Sequence, residues 1–464
     1  MNEAGDPKAA LSTALGKRHV TMISLGGIIG AGLFVGSGSA IKAAGPAVIL
    51  VYGGCGFLVY LIMRMLAEMA ASALTAGSFA AYIGKALGPG AGSMARWLFL
   101  YFWIFVVGAE TVAGAKLMQS AGVPGTVLEL SAIILFVMTV FNLVSVRAYG
   151  NVEFAFAFVK VAAIVVFICV AGGFLVLFEH GAPTVLAAGL GAGGFMPNGV
   201  SGLLAAVPIV IFSMVGSEVA TIAAAESSDP AGNIARAGRT VALRILTFYV
   251  LSVGLILMIT PWANIVPGTS PFVGALNRIG IPFTGVAMNI VVITAVLSCL
   301  NSGIYITSRM LFELAKTDGA PSFLGYVNRK KVPVFGVLVG LAAGALAAFA
   351  QLYMSQDIFT LLASTSGDLI LFVYLMIALS QIVARRTLAR NGLPVRNATF
   401  LFPYLSYFVV LAIAGILVCL FIDPSQRLTL LLSIVPTVLV GTVLLLKNRF
   451  AARAQAPLQP TCAS

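Results

Sequence analysis

Apolar runs of about 20 residues recur along the whole chain, each long enough to cross a hydrocarbon core of roughly 30 Å. About twelve are present, near residues 20–44, 46–72, 96–118, 126–146, 152–178, 202–225, 241–260, 283–314, 334–353, 358–384, 400–422 and 428–447. In a bilayer every backbone N–H and C=O must be paired within the protein, so runs of this kind fold as helices. The expected class is therefore an all-α polytopic membrane protein. Composition agrees: 60% of residues are hydrophobic, 9% are charged and the mean hydropathy is +1.05, a balance foreign to soluble chains.

Two of the runs are interrupted. The first contains Gly26, Gly27, Gly30, Gly32, Gly36 and Gly38 around Ile28, Ile29, Ala31, Leu33, Phe34 and Val35. A continuous helix has no need of so many glycines, each costing about 0.5 to 1 kcal/mol relative to alanine. The sixth run holds Ile211, Phe212, Ser213, Met214, Val215, Gly216, Ser217 and Glu218, where small and polar residues and a carboxylate break the apolar pattern. Unwound backbone at membrane depth survives only where it lines a protein-enclosed cavity, so the breaks point to a substrate site and to a transporter. One break opens each half, which implies a 5+5 inverted repeat with discontinuous helices 1 and 6. The alternative reading of the glycines is tight helix packing.

The net charge of +12 reports topology, not a nucleic-acid partner. One side receives Lys8, Lys17, Arg18, Arg147, Arg236, Arg239, Arg244, Lys316, Arg329, Lys330, Lys331, Arg385, Arg386 and Lys447, the other little beyond Lys42, Lys116, Arg278 and Arg427. The positive-inside rule then places both termini in the cytoplasm with an even helix count. The expected divisions are an N-terminal segment 1–18, a first repeat 19–180, a second repeat 200–384, a terminal helix pair 400–447 and a tail 448–464. The five cysteines lack metal spacing, the two histidines lie at a membrane boundary and in an external loop, and no Walker motif occurs. No cofactor, metal site or catalytic set is expected.

The matching stretches are residues 18–22 running into 29–37, then 44–47, 63–69, 77–79, 212–218, 221–227 and 298–302 leading to 308–311. Through them the chain resembles the amino acid permeases of the amino acid, polyamine and organocation transporter superfamily. Residues 195–199 and the Thr-Ile-Ala-Ala-Ala-Glu-Ser string at 221–227 are most similar to the bacterial 4-aminobutyrate (GABA) permeases.

Backbone physics and the resemblance assign the same roles at the breaks. Amides of Gly30, Ala31 and Gly32, next to Ile29, can donate to a carboxylate, and carbonyls freed around Ile211, Phe212 and Ser213 can accept from an ammonium group, with Gly216 and Glu218 completing the expected substrate site. The resemblance implies an aromatic gate at Phe212, a cavity-lining carboxylate at Glu110 and, at Lys160, a lysine standing where sodium-coupled relatives hold a cation. Charges inside a membrane need a functional or pairing reason. Lys160 can exchange a proton or snorkel to the interface. Glu218 can fix the unwound segment, contact the amine or carry a proton, and for Glu218 and Glu110 alike the alternative is a carboxylate paired with another helix or protonated in place. Asn301 and Ser302 can receive the Lys160 ammonium or serve only as interhelical hydrogen bonds. Asp368 departs from the apolar residue expected there and is assigned no role. Arg64 and Glu68, with Glu226, Asp229 and Arg236, are expected to lock a closed cytoplasmic gate or the topology.

The expectation is a secondary transporter importing an amino acid, GABA or a related zwitterion, by proton symport across the plasma membrane. Its partners are the amino acid, the proton and the lipid bilayer. A permease for another amino acid or an exchanger is the alternative, and a channel or intramembrane enzyme the competing class.

Overall fold

A computed structural model of the chain describes residues 29–72, 78–144, 146–178, 193–216, 218, 245–317, 319–354, 357–395 and 397–454. Outside these residues lie the expected segment 1–18, Gly26, Gly27, Ile28, Ser217, the string at 221–227, Asp229, Arg236, Arg239, Arg244, both histidines and the end of the tail. The side chain of Arg147 is likewise outside.

The described chain is helical, with no strand beyond an isolated bridge between Val327 and Pro333. The helices are α1 (Ala31–Phe34), α2 (Gly36–Ala44), α3 (Val48–Ser72), α4 (Phe79–Leu87), α5 (Pro89–Ser120), α6 (Val127–Val144), α7 (Val146–Phe178), α8 (Gly199–Met214), α9 (Ser252–Ile259), α10 (Pro271–Ile279), α11 (Thr284–Lys316), α12 (Val334–Tyr353), α13 (Ile358–Arg390), α14 (Tyr404–Ile422) and α15 (Arg427–Ala454). A π-helical turn, Ile245–Leu251, leads into α9.

Among the described residues, seven stretches are long and apolar enough to cross a membrane, and four shorter apolar helices fall on other expected runs. The first two expected runs meet in one of the seven, Gly36–Ser72, which bends at Gly45 (φ 66°) and Pro46. Local sequence sets the other boundaries too. Pro89 opens α5 after Gly88, and Pro271 opens α10, positions where a missing N–H costs the helix nothing. Gly280 closes α10 in the left-handed conformation. The Asp357 side chain caps α13 by accepting the Thr360 N–H at 3.2 Å.

The core is organised around α5, which spans about 48 Å and packs against α11, α12 and α13. Opposite it, α8 packs on α2, α3 and α13. That contact is possible because Gly367 of α13 has no side chain; a Cβ there would sit 1.9 Å from the Pro208 carbonyl oxygen. An aromatic group ties α1 to α7 and α10: Phe272 meets Phe34 edge-on at 5.1 Å and Phe167 at 4.8 Å. Helices α14 and α15 pack on α13, and α15 also reaches α5.

Candidate functional site

The first break falls where α1 begins. Gly30 is extended (φ −132°, ψ −152°), Ala31–Phe34 form one short turn of helix, and Val35 interrupts again before α2. Glycine is required here for close approach. A Cβ on Gly30 would lie 2.6 Å from Glu110 Oε1 and 2.7 Å from Cys299 Sγ, and one on Gly32 would lie 2.7 Å from Ser213 Cα. The Ala31 N–H exposed by the break donates to both oxygens of the buried Glu110 carboxylate, at 3.0 and 3.1 Å. The expected carboxylate acceptor is thus present, supplied by the protein's own α5.

The second break ends α8 at Met214. Val215 is extended and Gly216 takes a φ of 127°, a value that favours glycine. Glu218 folds back on this turn: its Oε2 accepts the Gly216 N–H at 2.8 Å, and its Oε1 accepts the Tyr374 hydroxyl of α13. These two bonds tie the turn at the end of α8 to α13. The carbonyl of Ser213 accepts the Tyr249 hydroxyl at 2.6 Å, and the Phe212 carbonyl accepts the Val215 N–H. Two of the carbonyls expected to receive an ammonium group, those of Phe212 and Ser213, therefore already have internal donors. Ile211 is fully buried.

Both breaks border one cavity. Gly30 and Gly32 line it from the first, Phe212 and Val215 from the second, Cys299 from α11, and Phe102, Trp103, Val106 and Glu110 along one face of α5. The space is small, about 20 Å³, enough for roughly one water. Phe212 stands edge-on to Phe359 of α13 at 6.4 Å. The buried indole N–H of Trp103 has no hydrogen-bond partner among the described residues, an expensive condition that a polar ligand would relieve.

Lys160 is fully buried and does not snorkel. Its ammonium donates to Ser298 Oγ at 2.7 Å and lies 3.6 Å from Glu153 Oε1. Ser298 is one turn before the expected Asn301 and Ser302. The Asn301 amide oxygen accepts from Asn142 at 2.7 Å, a link between α11 and α6, and Ser302 is buried on α11. Asp368 is buried with neither oxygen hydrogen-bonded among the described residues, and Thr429 of α15 is its polar neighbour.

Arg64 and Glu68 both turn toward the connection between α13 and α14. Arg64 donates to the Ala398 carbonyl at 3.2 Å, while Glu68 accepts from the Thr399 N–H at 2.6 Å, Gln381 at 2.9 Å and Arg385 at 3.4 Å.

Sequence reasoning missed Phe102, Trp103, Val106 and Cys299 in the cavity wall, and Glu153 and Ser298 beside Lys160. Glu153 carried a usable signal, since it lies two helical turns before Lys160 and so shares its face. On α5, Trp103 and Val106 carried the same signal, lying two turns and one turn before Glu110, whereas Phe102, one residue away from that face, carried none.

A sequence model of a family described as "Amino acid permease" matches residues 19–453. The chain is 40% identical to the "Gamma-aminobutyric acid permease" of Bacillus subtilis (strain 168), over 97% of each chain. It is 41% identical to a "Probable GABA permease" of Pseudomonas aeruginosa, over 90% of this chain and 89% of that one. The "Aromatic amino acid transport protein AroP" of Escherichia coli (strain K12) is 36% identical, over 96% of this chain and 98% of the other. These relatives are named as transporters and not as enzymes.

Proposed function

The chain belongs to the amino acid permease family, and from that premise we propose that it imports a zwitterionic amino acid, with GABA as the first candidate, by proton symport and alternating access. The observation that carries this reading is the cavity in which both breaks meet Glu110 of α5. The GABA permeases among its relatives, similar along almost the whole chain, support the choice of substrate.

A ligand carboxylate reaches the Ala31 N–H by displacing Glu110, which now holds it. Two carboxylates repel at one donor. A zwitterion resolves the conflict because its ammonium group is a new partner for the released Glu110, whereas a simple carboxylate or amine supplies only half of the exchange. Phe212, Phe102 and Trp103 enclose the hydrocarbon between the charges. This aromatic wall also favours a second reading, an aromatic amino acid as substrate, as in the relative named for aromatic amino acid transport.

The energy source we assign is the proton gradient, with Lys160 and its neighbours on α11 as the coupling group. About twelve spans arranged as two inverted repeats, 19–180 and 200–384, followed by the helix pair 400–447, would place both termini in the cytoplasm and the protein in the plasma membrane. Uptake of labelled GABA into proteoliposomes, competed by a panel of amino acids, tests substrate and driving force together. Accumulation under an inward pH gradient without sodium is expected. No accumulation of any amino acid, or a strict need for sodium, would refute the proposal.

A further inference from the structure

Side chains of an α-helix lean toward its N-terminus. On α7 this carries the Lys160 ammonium back toward Glu153, about two turns (~10 Å) nearer the start of the helix. Ser298 of α11 stands between them. Lys160 Nζ donates to Ser298 Oγ at 2.7 Å, and that hydroxyl donates in turn to the Glu153 carboxylate, whose two oxygens lie at 2.8 and 2.7 Å. All three side chains are fully buried. An ammonium group only donates and an ionised carboxylate only accepts, so the order of donation is set: lysine to serine, serine to glutamate.

We propose that Glu153 is the inner station of the proton path, receiving through Ser298 the proton that Lys160 carries. The inference rests on the symport reading above and extends it to residues with no assigned role. In the transfer an N–H bond of Lys160 breaks as an O–H bond forms on Ser298 Oγ. The original Ser298 O–H bond breaks as one forms on Glu153. An ion pair becomes an amine and a carboxylic acid, with no electrons exchanged and no net charge left in the membrane in either state. With the start of α7 facing the cytoplasm, the acid is the group that releases the proton inward, and the pair is reloaded through Lys160.

Among the described residues other titratable groups near these three are few; the charged residues of α11, Arg309, Glu313 and Lys316, lie about three turns or more beyond Ser298. Glu110 of α5 lies within electrostatic reach of Lys160, and the Cys299 thiol of α11 within reach of both Lys160 and Glu153. Among the described residues packed on α7, α9 brings no charged side chain, and α10 brings only the exposed Arg278. Helix α6 brings only the exposed Glu129, which is bonded to Thr126. The π-helical turn brings Tyr249, which donates to the Ser213 carbonyl.

The test is uptake in proteoliposomes across a range of pH. For Glu153→Gln, uptake driven by a pH gradient is expected to fall at least tenfold and to lose its pH profile. Ligand-induced thermal stabilisation of the purified variant should persist, and Glu153→Asp should recover pH-dependent uptake. Gradient-driven uptake and a pH profile like the wild type's in Glu153→Gln would overturn the proposal. Should that variant fail to fold, with Lys160 left unpaired, Ser298→Ala decides, because it keeps both charges and removes only the linking hydroxyl. A tenfold slower gradient-driven uptake then supports the path and a wild-type rate overturns it. A wild-type protein indifferent to the pH gradient would instead overturn the symport reading and this role with it.

Discussion

Gly32→Ala is the smallest change that tests whether the two breaks touch. The added Cβ would lie 2.7 Å from Ser213 Cα and 3.1 Å from a ring carbon of Phe212. The nearer atom is backbone, so no rotamer change relieves the contact. The start of α1 and the end of α8 must part by at least about 0.7 Å to reach ordinary van der Waals distance, and overpacking of this kind costs about 1–3 kcal/mol. If the strain is relieved when α1 and α8 separate, the variant shifts toward the separated state by about 5- to 150-fold. Affinity for a ligand held between the breaks falls by up to the same factor, the full loss applying where the separated state dominates without ligand. Equilibrium binding of GABA to purified protein measures this directly. Gly53 and Gly54 of α3 serve as controls, because a Cβ at either meets nothing within 4 Å. Alanine there is expected to be neutral or stabilising by about 0.5–1 kcal/mol. Wild-type affinity and uptake in Gly32→Ala would refute the closeness of the two breaks and the site built on it.

Three further outcomes follow from the same geometry. Glu218→Gln should remain folded yet lose most uptake, and Tyr374→Phe should change uptake in the same direction, by up to about 1.5–3 kcal/mol for a hydrogen bond to a charged group; uptake assays with expression controls decide. Phe212→Ala removes the aromatic that closes the cavity against Phe359 and should weaken GABA binding, whereas Phe212→Tyr should retain it, as read by ligand titration. Glu68→Ala leaves Arg385 and the Thr399 N–H without their shared acceptor and should lower the unfolding temperature without changing the ligand preference, as read by thermal melts and a competition panel.

Glycine density and a mid-membrane carboxylate mark two interruptions in the sequence, and at those places the described chain has an extended Gly30 before α1 and the end of α8 at Met214. That Gly30, Gly32, Phe212 and Glu110 border one cavity also accords with the pattern. What the residues bind was less legible. Glu218 pairs with an amide of its own turn and with Tyr374 of a distant helix, and no periodicity announces such a contact. Arg64 and Glu68 have the spacing of a helical pair, yet both are drawn to the connection after α13, where unpaired backbone groups at Ala398 and Thr399 offer partners. Trp103 and Val106 stand two turns and one turn before Glu110 and share its face, a direction the sequence offers; Phe102 lies one residue away from that face, in an aromatic stretch with no polar residue of its own. Sequence places a helix face but not its register against a neighbour, so Ser298, one turn before Asn301 and Ser302, was not singled out as a partner of Lys160.

The central claim is that the two breaks enclose a site for a zwitterion. Ligand-induced thermal stabilisation of the purified protein tests it most directly, comparing GABA with propylamine, which lacks the carboxylate, in the wild type and in Gly32→Val. Stabilisation by GABA, little or none by propylamine, and loss of the GABA effect in the variant are the predicted results. Equal stabilisation by both compounds, unchanged in the variant, would contradict the claim and leave the glycines a role in packing alone.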